Sequence, residues 1–258
     1  MSLVLVTGGT GGLGREVVPR LVSAGHDVRL LSRQDRPARP DGVEAVRGDV
    51  LNLKSLERAV AGVDAIVHCA TSPFRRTRQT EIEGTRLLTV AAARAGRPHL
   101  LYMSIVGVDR HPLPYYKAKR AAELVVEASA VPYTIFRATQ FHSLLDGFLT
   151  RLARLPVLLL PRQVRFQPVA PNEVAARLVE LVAAGGAPGP SGRAPDMGGP
   201  EVRAFDDLAR AWLNARGRSR RIVRFPIAGR TARAFRNAVN LCPEQADGVV
   251  TWETWLRA

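Results

Sequence analysis

An α/β fold with a doubly wound parallel sheet is predicted by two features of this 258-residue chain: short apolar, β-branched runs alternate with stretches of helical periodicity, and a glycine cluster joins the first run to the first helix. LVLVT (3–7) opens the series, GGTGGLG follows at once, and REVVPRLVSAG places its apolar residues at helical spacing. DVRLLS (27–32), VEAVRGD (43–49), DAIVHCA (64–70), HLLYMS (99–104) and YTIFRA (133–138) repeat the strand type, with helical patterns over about 53–62, 79–96 and 115–130 between them. Strands that alternate with helices in this way pair in parallel and are covered on both faces.

After residue 140 the alternation loosens. FHSLLDGFLTRLARL, PNEVAARLVELVAAG, AFDDLARAWLNARG and TWETWLRA read as helices, VLLLP, VRFQPV and RIVRFPI as extended segments, and GGAPGPSGRAPDMGGP (185–200) as a Pro/Gly-rich loop. The expected division is a sheet domain over 1–140 and a small lobe over 141–258, packed together as one structural unit. Trp212, Trp252 and Trp255 are expected to pack that lobe.

Composition bounds the function. Cys69 and Cys242 are too few for a disulfide framework and lack metal-ligand spacing, so no metal is expected and a reducing, cytoplasmic setting fits. No leader pattern is present and no apolar stretch approaches the ~20 residues that cross a bilayer, so a soluble, unprocessed chain with no membrane partner is expected. The net charge of +14 raises nucleic-acid binding, with RGRSRR (216–221) and FRRTR (74–78) as its carriers. Against it, arginine outnumbers lysine 34 to 3 amid abundant Ala, Gly, Pro and Val, the signature of GC-rich bacterial coding, and neither run is interleaved with aromatics that stack on bases. No nucleic-acid partner is expected.

The glycines carry the first chemistry. Gly8, Gly11 and Gly14 let the backbone turn sharply after the strand, approach a pyrophosphate closely and pack the helix on the sheet, while the helix N-terminus supplies N–H donors. The pattern predicts a Rossmann-type dinucleotide site. An acidic residue ending the second strand would select a free ribose 2′-hydroxyl, whereas this chain has Ser32 and Arg33, with Arg36 close behind and Asp35 beyond the contact position, so NADP is favoured over NAD. Asp49, ending the third strand, suits the adenine edge or caps the next helix.

TGGTGGLG, RGDV, HCATS, EGTRLL, YMSIVGVD, PYYKAKRAAE and YTIFRATQF occur in the order and approximate spacing of the short-chain dehydrogenase/reductase superfamily, and the chain most resembles its atypical, NmrA-like NAD(P)H-binding branch. FQPVAPNEVAARLVEL and DMGGPEV resemble the C-terminal part of that branch, which shapes a substrate pocket. The resemblance implies cofactor contacts from Gly8, Thr10, Gly11, Gly12, Leu13, Gly14, Ser32, Arg33, Asp49, Val50, Cys69, Ala70, Thr71 and Lys119, with Cys69 a buried small hydrophobe beside the cofactor. Gln140, Phe141 and Gln167 are implied to line the substrate pocket, and His142 falls near it as an acid or base, or as a core histidine. A monomer or homodimer follows from the same likeness.

The resemblance also implies a Tyr-x-x-x-Lys pair, here Tyr115 and Lys119, with Ser104 polarising the carbonyl oxygen and Glu123 four residues beyond the lysine. Residues i and i+4 share a helix face. Lys119 would bond the nicotinamide ribose and lower the phenol pKa from about 10, making Tyr115 a proton donor. Arginine, a broad planar fork, serves this poorly, so one of only three lysines falling here is independent support. The sequence departs from the superfamily pattern in three places: Tyr116 and Arg120 form a shifted frame beside an outward-pointing Lys117, Ser104 stands alone where extended members have two or three serines, and Glu81 stands where many have asparagine. The expected activity is NADPH-dependent reduction of a ketone or related carbonyl on a hydrophobic small molecule, ring-containing secondary metabolites included. A cofactor sensor without turnover and an extended-type epimerase or dehydratase are the alternatives.

Overall fold

The computed structural model describes residues 2–35, 37–73, 76–185 and 191–258. Arg36, two residues of the FRRTR run and residues 186–190 of the Pro/Gly-rich loop lie outside these. Seven parallel strands form the main sheet in the order β3-β2-β1-β4-β5-β6-β9, with β1 at Leu3–Thr7, β2 at Asp27–Ser32, β3 at Glu44–Arg47, β4 at Ala65–His68, β5 at His99–Ile105, β6 at Tyr133–Ala138 and β9 at Gly192–Arg193. Leu3 pairs with Asp27 and Thr7 with both Leu31 and His68, so β1 is central and its side chains are buried on both faces, as its unbroken apolar run requires. The chain order reverses between β1 and β4, the place where an open α/β sheet binds its ligands.

The intervening helices are α1 (Gly14–Ser23), α2 (Leu53–Val60), α3 (Thr85–Arg94) and α4 (Pro114–Glu127). The expected helix over 79–96 begins differently: Gln79–Gly84 winds as a π-helix before α3 takes over. Further on come α5 (His142–Leu152), α6 (Pro171–Gly185), α7 (Phe205–Ala215), α8 (Gly229–Arg236) and α9 (Trp252–Arg257), with β7 (Val157–Pro161), β8 (Arg165–Phe166), β10 (Arg203–Ala204) and β11 (Arg221–Phe225).

Two compact units divide these elements, and the division is interleaved rather than a single cut at 140. One comprises residues 1–104, 117–136 and 174–194, the other residues 105–116, 137–173 and 195–258. The first has a core of Leu5, Leu56, Ile66, Leu88, Leu100, Tyr102, Val126 and Ile135. The second closes around Leu149, Leu158, Leu160, Leu208, Trp212 and Trp252, and contains two small sheets, β7 parallel to β11 and β8 antiparallel to β10. Trp212 Nε1 donates to Asp146 at 2.7 Å and Trp252 Nε1 to the Leu208 carbonyl at 3.0 Å, so both rings are buried with their polar atom satisfied.

Candidate cofactor and active site

The glycine turn fits a bound pyrophosphate. Gly8 has φ +72°, and a Cβ there would lie 2.6 Å from the Ala70 backbone nitrogen. A Cβ at Gly14 would overlap the Gly8 carbonyl and Gly9, whereas at exposed Gly12 it would meet nothing within 4 Å. The turn is held by Gly11 N donating to Gly8 O at 2.9 Å, and Arg15 N donates to Gly11 O as α1 begins. Crowded glycines below and an open one above leave backbone N–H groups at a helix N-terminus with room for a phosphate.

Ser32, ending β2, is buried and accepts from Gln34 N, while Arg33 is exposed. Asp35 is answered by Arg47 at 2.7 Å. A groove of about 1130 Å³ opens here, walled by Arg33, Arg47, Asp49, Lys54 and Arg58 among others. Asp49 is not the cap of α2: that is Asn52, whose side chain accepts from Ser55 N, while Asp49 Oδ1 accepts from Leu51 N at 2.9 Å. Val50 packs on Gly84.

Lys119 stands at the centre of a buried polar cluster that all belongs to the first unit. Its Nζ donates to the Met103 carbonyl at 2.8 Å and to the Tyr102 hydroxyl at 3.3 Å, and pairs with Glu81 Oε2 at 3.1 Å. Glu81 in turn accepts from the Thr71 hydroxyl and from Ser72 N. Burial by itself would raise the Glu81 carboxyl, but the Lys119 charge, with the bonds from Thr71 and Lys119, holds it below its ordinary 4.5. His68 bridges Thr7 at 2.6 Å and Thr85 at 3.1 Å, and burial, aided by Lys119 against Glu81, pushes it down to about 4, so it is neutral. Cys69 is no nucleophile, because burial pushes its thiol up to about 12 against the pull of Lys119.

The ribose contact expected of Lys119 stands beside these protein partners of its ammonium. The glutamate in place of asparagine explains the ion pair: a carboxylate buried in this position needs a counter-charge, and the ammonium supplies one. Ser104 lies one residue beyond Met103, 3% exposed, its Oγ without a hydrogen-bond partner among the described residues. Tyr102 and the pairing of Glu81 go beyond what residue type shows: EIEGTRLL has two acids, and nothing in the sequence separates the buried Glu81 from Glu83, which binds Arg86.

α4 carries Tyr115, partly exposed, one turn before Lys119. Tyr116 is buried, stacked on His111 at 4.2 Å, and burial pushes its phenol up to about 12 although a Gln140 hydrogen bond works the other way. Arg120 is bound to Glu123 and Glu127, and Lys117 is exposed, so the shifted frame presents a packing tyrosine and an engaged arginine.

The expected pocket residues beyond β6 have other duties. Gln167 gives its amide nitrogen to the carbonyls of Gly199 (2.9 Å) and Cys242 (3.3 Å) and accepts from Cys242 N (2.8 Å). Gln140 donates to the Asn240 carbonyl at 3.0 Å. His142 is fully buried, its Nε2 3.0 Å from the Val250 carbonyl and its ring 5.5 and 5.6 Å from those of Trp252 and Trp255. Burial lowers its pKa, so it is a neutral core histidine, and only Phe141, the residue before α5, keeps partial exposure. Gln140, His142 and Gln167 each bond distant backbone within the second unit, while His142 Nδ1 is buried without a partner among the described residues.

A parallel sheet with a glycine turn after β1 and polar residues at the ends of β2, β4 and β5 defines a dinucleotide-binding protein. The model of the NAD(P)H-binding family matches residues 8–155, more than half of the chain, and the chain belongs to that family. It is 34% identical over 242 residues to (4-alkanoyl-5-oxo-2,5-dihydrofuran-3-yl)methyl phosphate reductase of Streptomyces griseus, covering 89% of this chain and 80% of the relative. It is 28% identical over 248 residues to ceramide reductase of Caulobacter vibrioides, covering 88% and 75%. Among solved structures, a nucleoside-diphosphate-sugar epimerase of Staphylococcus aureus superposes with TM-score 0.78 at 18% identity over the whole of both chains. A short-chain dehydrogenase/reductase superfamily protein of Agrobacterium tumefaciens with bound NAD gives 0.72 at 20% over 98% of this chain and 94% of its own. At those identities the structural likeness speaks for the fold alone. No helix among the described residues is long and apolar enough to cross a membrane.

Proposed function

We propose that this protein is an NADPH-dependent reductase of a carbonyl group on a hydrophobic small molecule, of the atypical NmrA-like kind. The observation that carries the reading is Ser104: a buried hydroxyl without a protein partner, at the end of β5 beside the Met103 carbonyl that Lys119 binds, is a donor kept for an oxygen that arrives from outside. The names of the two relatives support the substrate class, one being a phosphate ester with an alkanoyl group and the other a ceramide.

In this reading Gly8, Thr10 and the Gly11–Gly14 turn would hold the pyrophosphate, Arg33 would suit a 2′-phosphate, and Asp49, Val50, Cys69, Ala70 and Thr71 would flank the cofactor. NADPH supplies the hydride. Ser104 donates to the carbonyl oxygen as it gains negative charge. Tyr115 gives that oxygen its phenolic proton, which solvent later restores, and the positive charge of Lys119 favours the phenolate left behind. Lys119 acts from its place against Glu81, as a fixed charge.

The test is NADPH consumption, followed by its absorbance, over a panel of alkyl and ring ketones with wild type, Tyr115→Phe and Ser104→Ala. Turnover lost in both variants while NADPH still binds supports the reading. A second reading, a cofactor sensor without turnover, is favoured by the engagement of the Lys119 ammonium with Glu81, Tyr102 and Met103. Tight NADPH binding, no turnover across the panel and no effect of either substitution would select it.

A further inference from the structure

Residues 147–172 and 208–243, all in the second unit, contain 13 arginines and not one aspartate, glutamate or lysine. That leaves 24 of the 37 basic residues to balance all 23 acidic ones in the rest of the chain, so these two stretches hold nearly the whole net charge of +14. GC-rich coding raises arginine everywhere; it does not clear acids from two stretches that fold together. All 13 arginines are exposed. Among their partners are aspartates outside the stretches: Asp206 and Asp207 bind Arg210, Asp206 also binds Arg224, and Asp146 binds Arg216.

The same stretches contain an uncovered apolar sheet face. Paired in parallel, with Val157 opposite Arg221 and Pro161 opposite Phe225, β7 and β11 turn alternate residues to the same side. Leu158 and Leu160 are fully buried in the unit's core with Ile222 packed on them. The other side shows Leu159 (49% exposed), Val223 and Phe225 (41%), with Leu155 (49%) just before β7. Edge arginines commonly keep a strand from pairing with another molecule, which accounts for Arg221 and Arg224 but not for leucine and phenylalanine facing outward.

We propose that the β7–β11 face docks this protein on an anionic phospholipid surface, with Leu155, Leu159 and Phe225 entering the headgroup layer and arginines such as Arg154, Arg162, Arg218, Arg220 and Arg221 pairing with lipid phosphates. Peripheral attachment combines these two components, an apolar area that sinks into the interface and a basic rim that snorkels to phosphate. A second copy of the chain is disfavoured because a twofold contact would set the same arginine-rich surface against itself. A nucleic acid would use the arginines and leave the aliphatic side chains without a role.

The test is co-sedimentation of the full chain with vesicles of phosphatidylcholine alone and of phosphatidylcholine with phosphatidylglycerol, at low and physiological salt. Wild type is expected to pellet with the anionic vesicles only. Arg218→Glu/Arg220→Glu/Arg221→Glu is expected to abolish this, and Leu159→Ser/Phe225→Ser to weaken it at least about tenfold, with melting temperatures of all three proteins compared to confirm folding. No binding to anionic vesicles overturns the proposal. So does binding that the arginine variant loses, the apolar variant keeps and a duplex DNA oligonucleotide competes away, which would make the face a nucleic-acid surface.

Discussion

Each unit buries a cluster of polar side chains, and the two clusters differ in the charge they carry. In the second unit Gln167 and His142 are neutral and bonded to backbone at Gly199, Cys242 and Val250. In the first unit Lys119 and Glu81 are charged, bonded mainly to each other and to neighbouring side chains, and Ser104 beside them lacks a partner. Neutral groups tied to backbone fix a fold at modest cost. A buried charge pair is a poor means of stabilisation, and its presence beside an unsatisfied hydroxyl points to chemistry.

The sharpest break of this contrast is Lys119→Met, which strands the Glu81 carboxylate. Urea unfolding should show a loss of about 3–5 kcal/mol, and adding Glu81→Gln should recover most of it, since the double variant no longer buries an uncompensated charge.

Acid should also act more strongly on the first cluster. Glu81 titrates below its ordinary value when folded, so its contribution to stability is present above about pH 4.5 and fades as the pH falls through the folded value. His68, at about 4 when folded and 6.5 otherwise, stays neutral while the unfolded chain takes up a proton, so stability falls from pH 6.5 down to pH 4. His68 alone accounts for about 3 kcal/mol over that interval, and unfolding of His68→Asn should be correspondingly flatter there.

In the second cluster Gln167→Leu leaves the Cys242 N–H and the Gly199 carbonyl without the partner Gln167 supplies, while the Cys242 carbonyl keeps Gln245 N, and should cost about 2 kcal/mol without altering NADPH affinity, as a binding titration would show. The smallest effect on folding is expected at exposed Gly12, where Gly12→Ala should leave the melting temperature within a degree or so while reducing NADPH affinity; buried Gly14→Ala, with its Cβ against Gly8 and Gly9, should lower both.

Local rules made the glycine turn, α6 and α4 legible. PNEVAARLVELVAAG forms a helix over Pro171–Gly185, and YTIFRA a strand over Tyr133–Ala138, because each carries its own periodicity and stop signals. The partners of the polar residues were not legible. Gln167 finds its backbone partner 75 positions away and His142 finds its own 108 away, distances at which residue type carries no information. In both cases glutamine and histidine looked like pocket residues and were claimed by remote backbone. The pairing of Glu81 with Lys119 was hidden for a further reason, since it depends on the helical phase of a segment that is not an α-helix.

That segment, Gln79–Gly84, closes each hydrogen bond over one residue more than the α-helix it feeds. Each residue of an α-helix advances the side chain by about 100°, so shortening the segment by one residue would swing Glu81 away from Lys119 while every amino acid around it stayed the same. Insertions and deletions, rather than substitutions, are therefore the route by which a chain of this design could acquire or discard its buried counter-charge, and a one-residue gap in an alignment here would mark a change of chemistry.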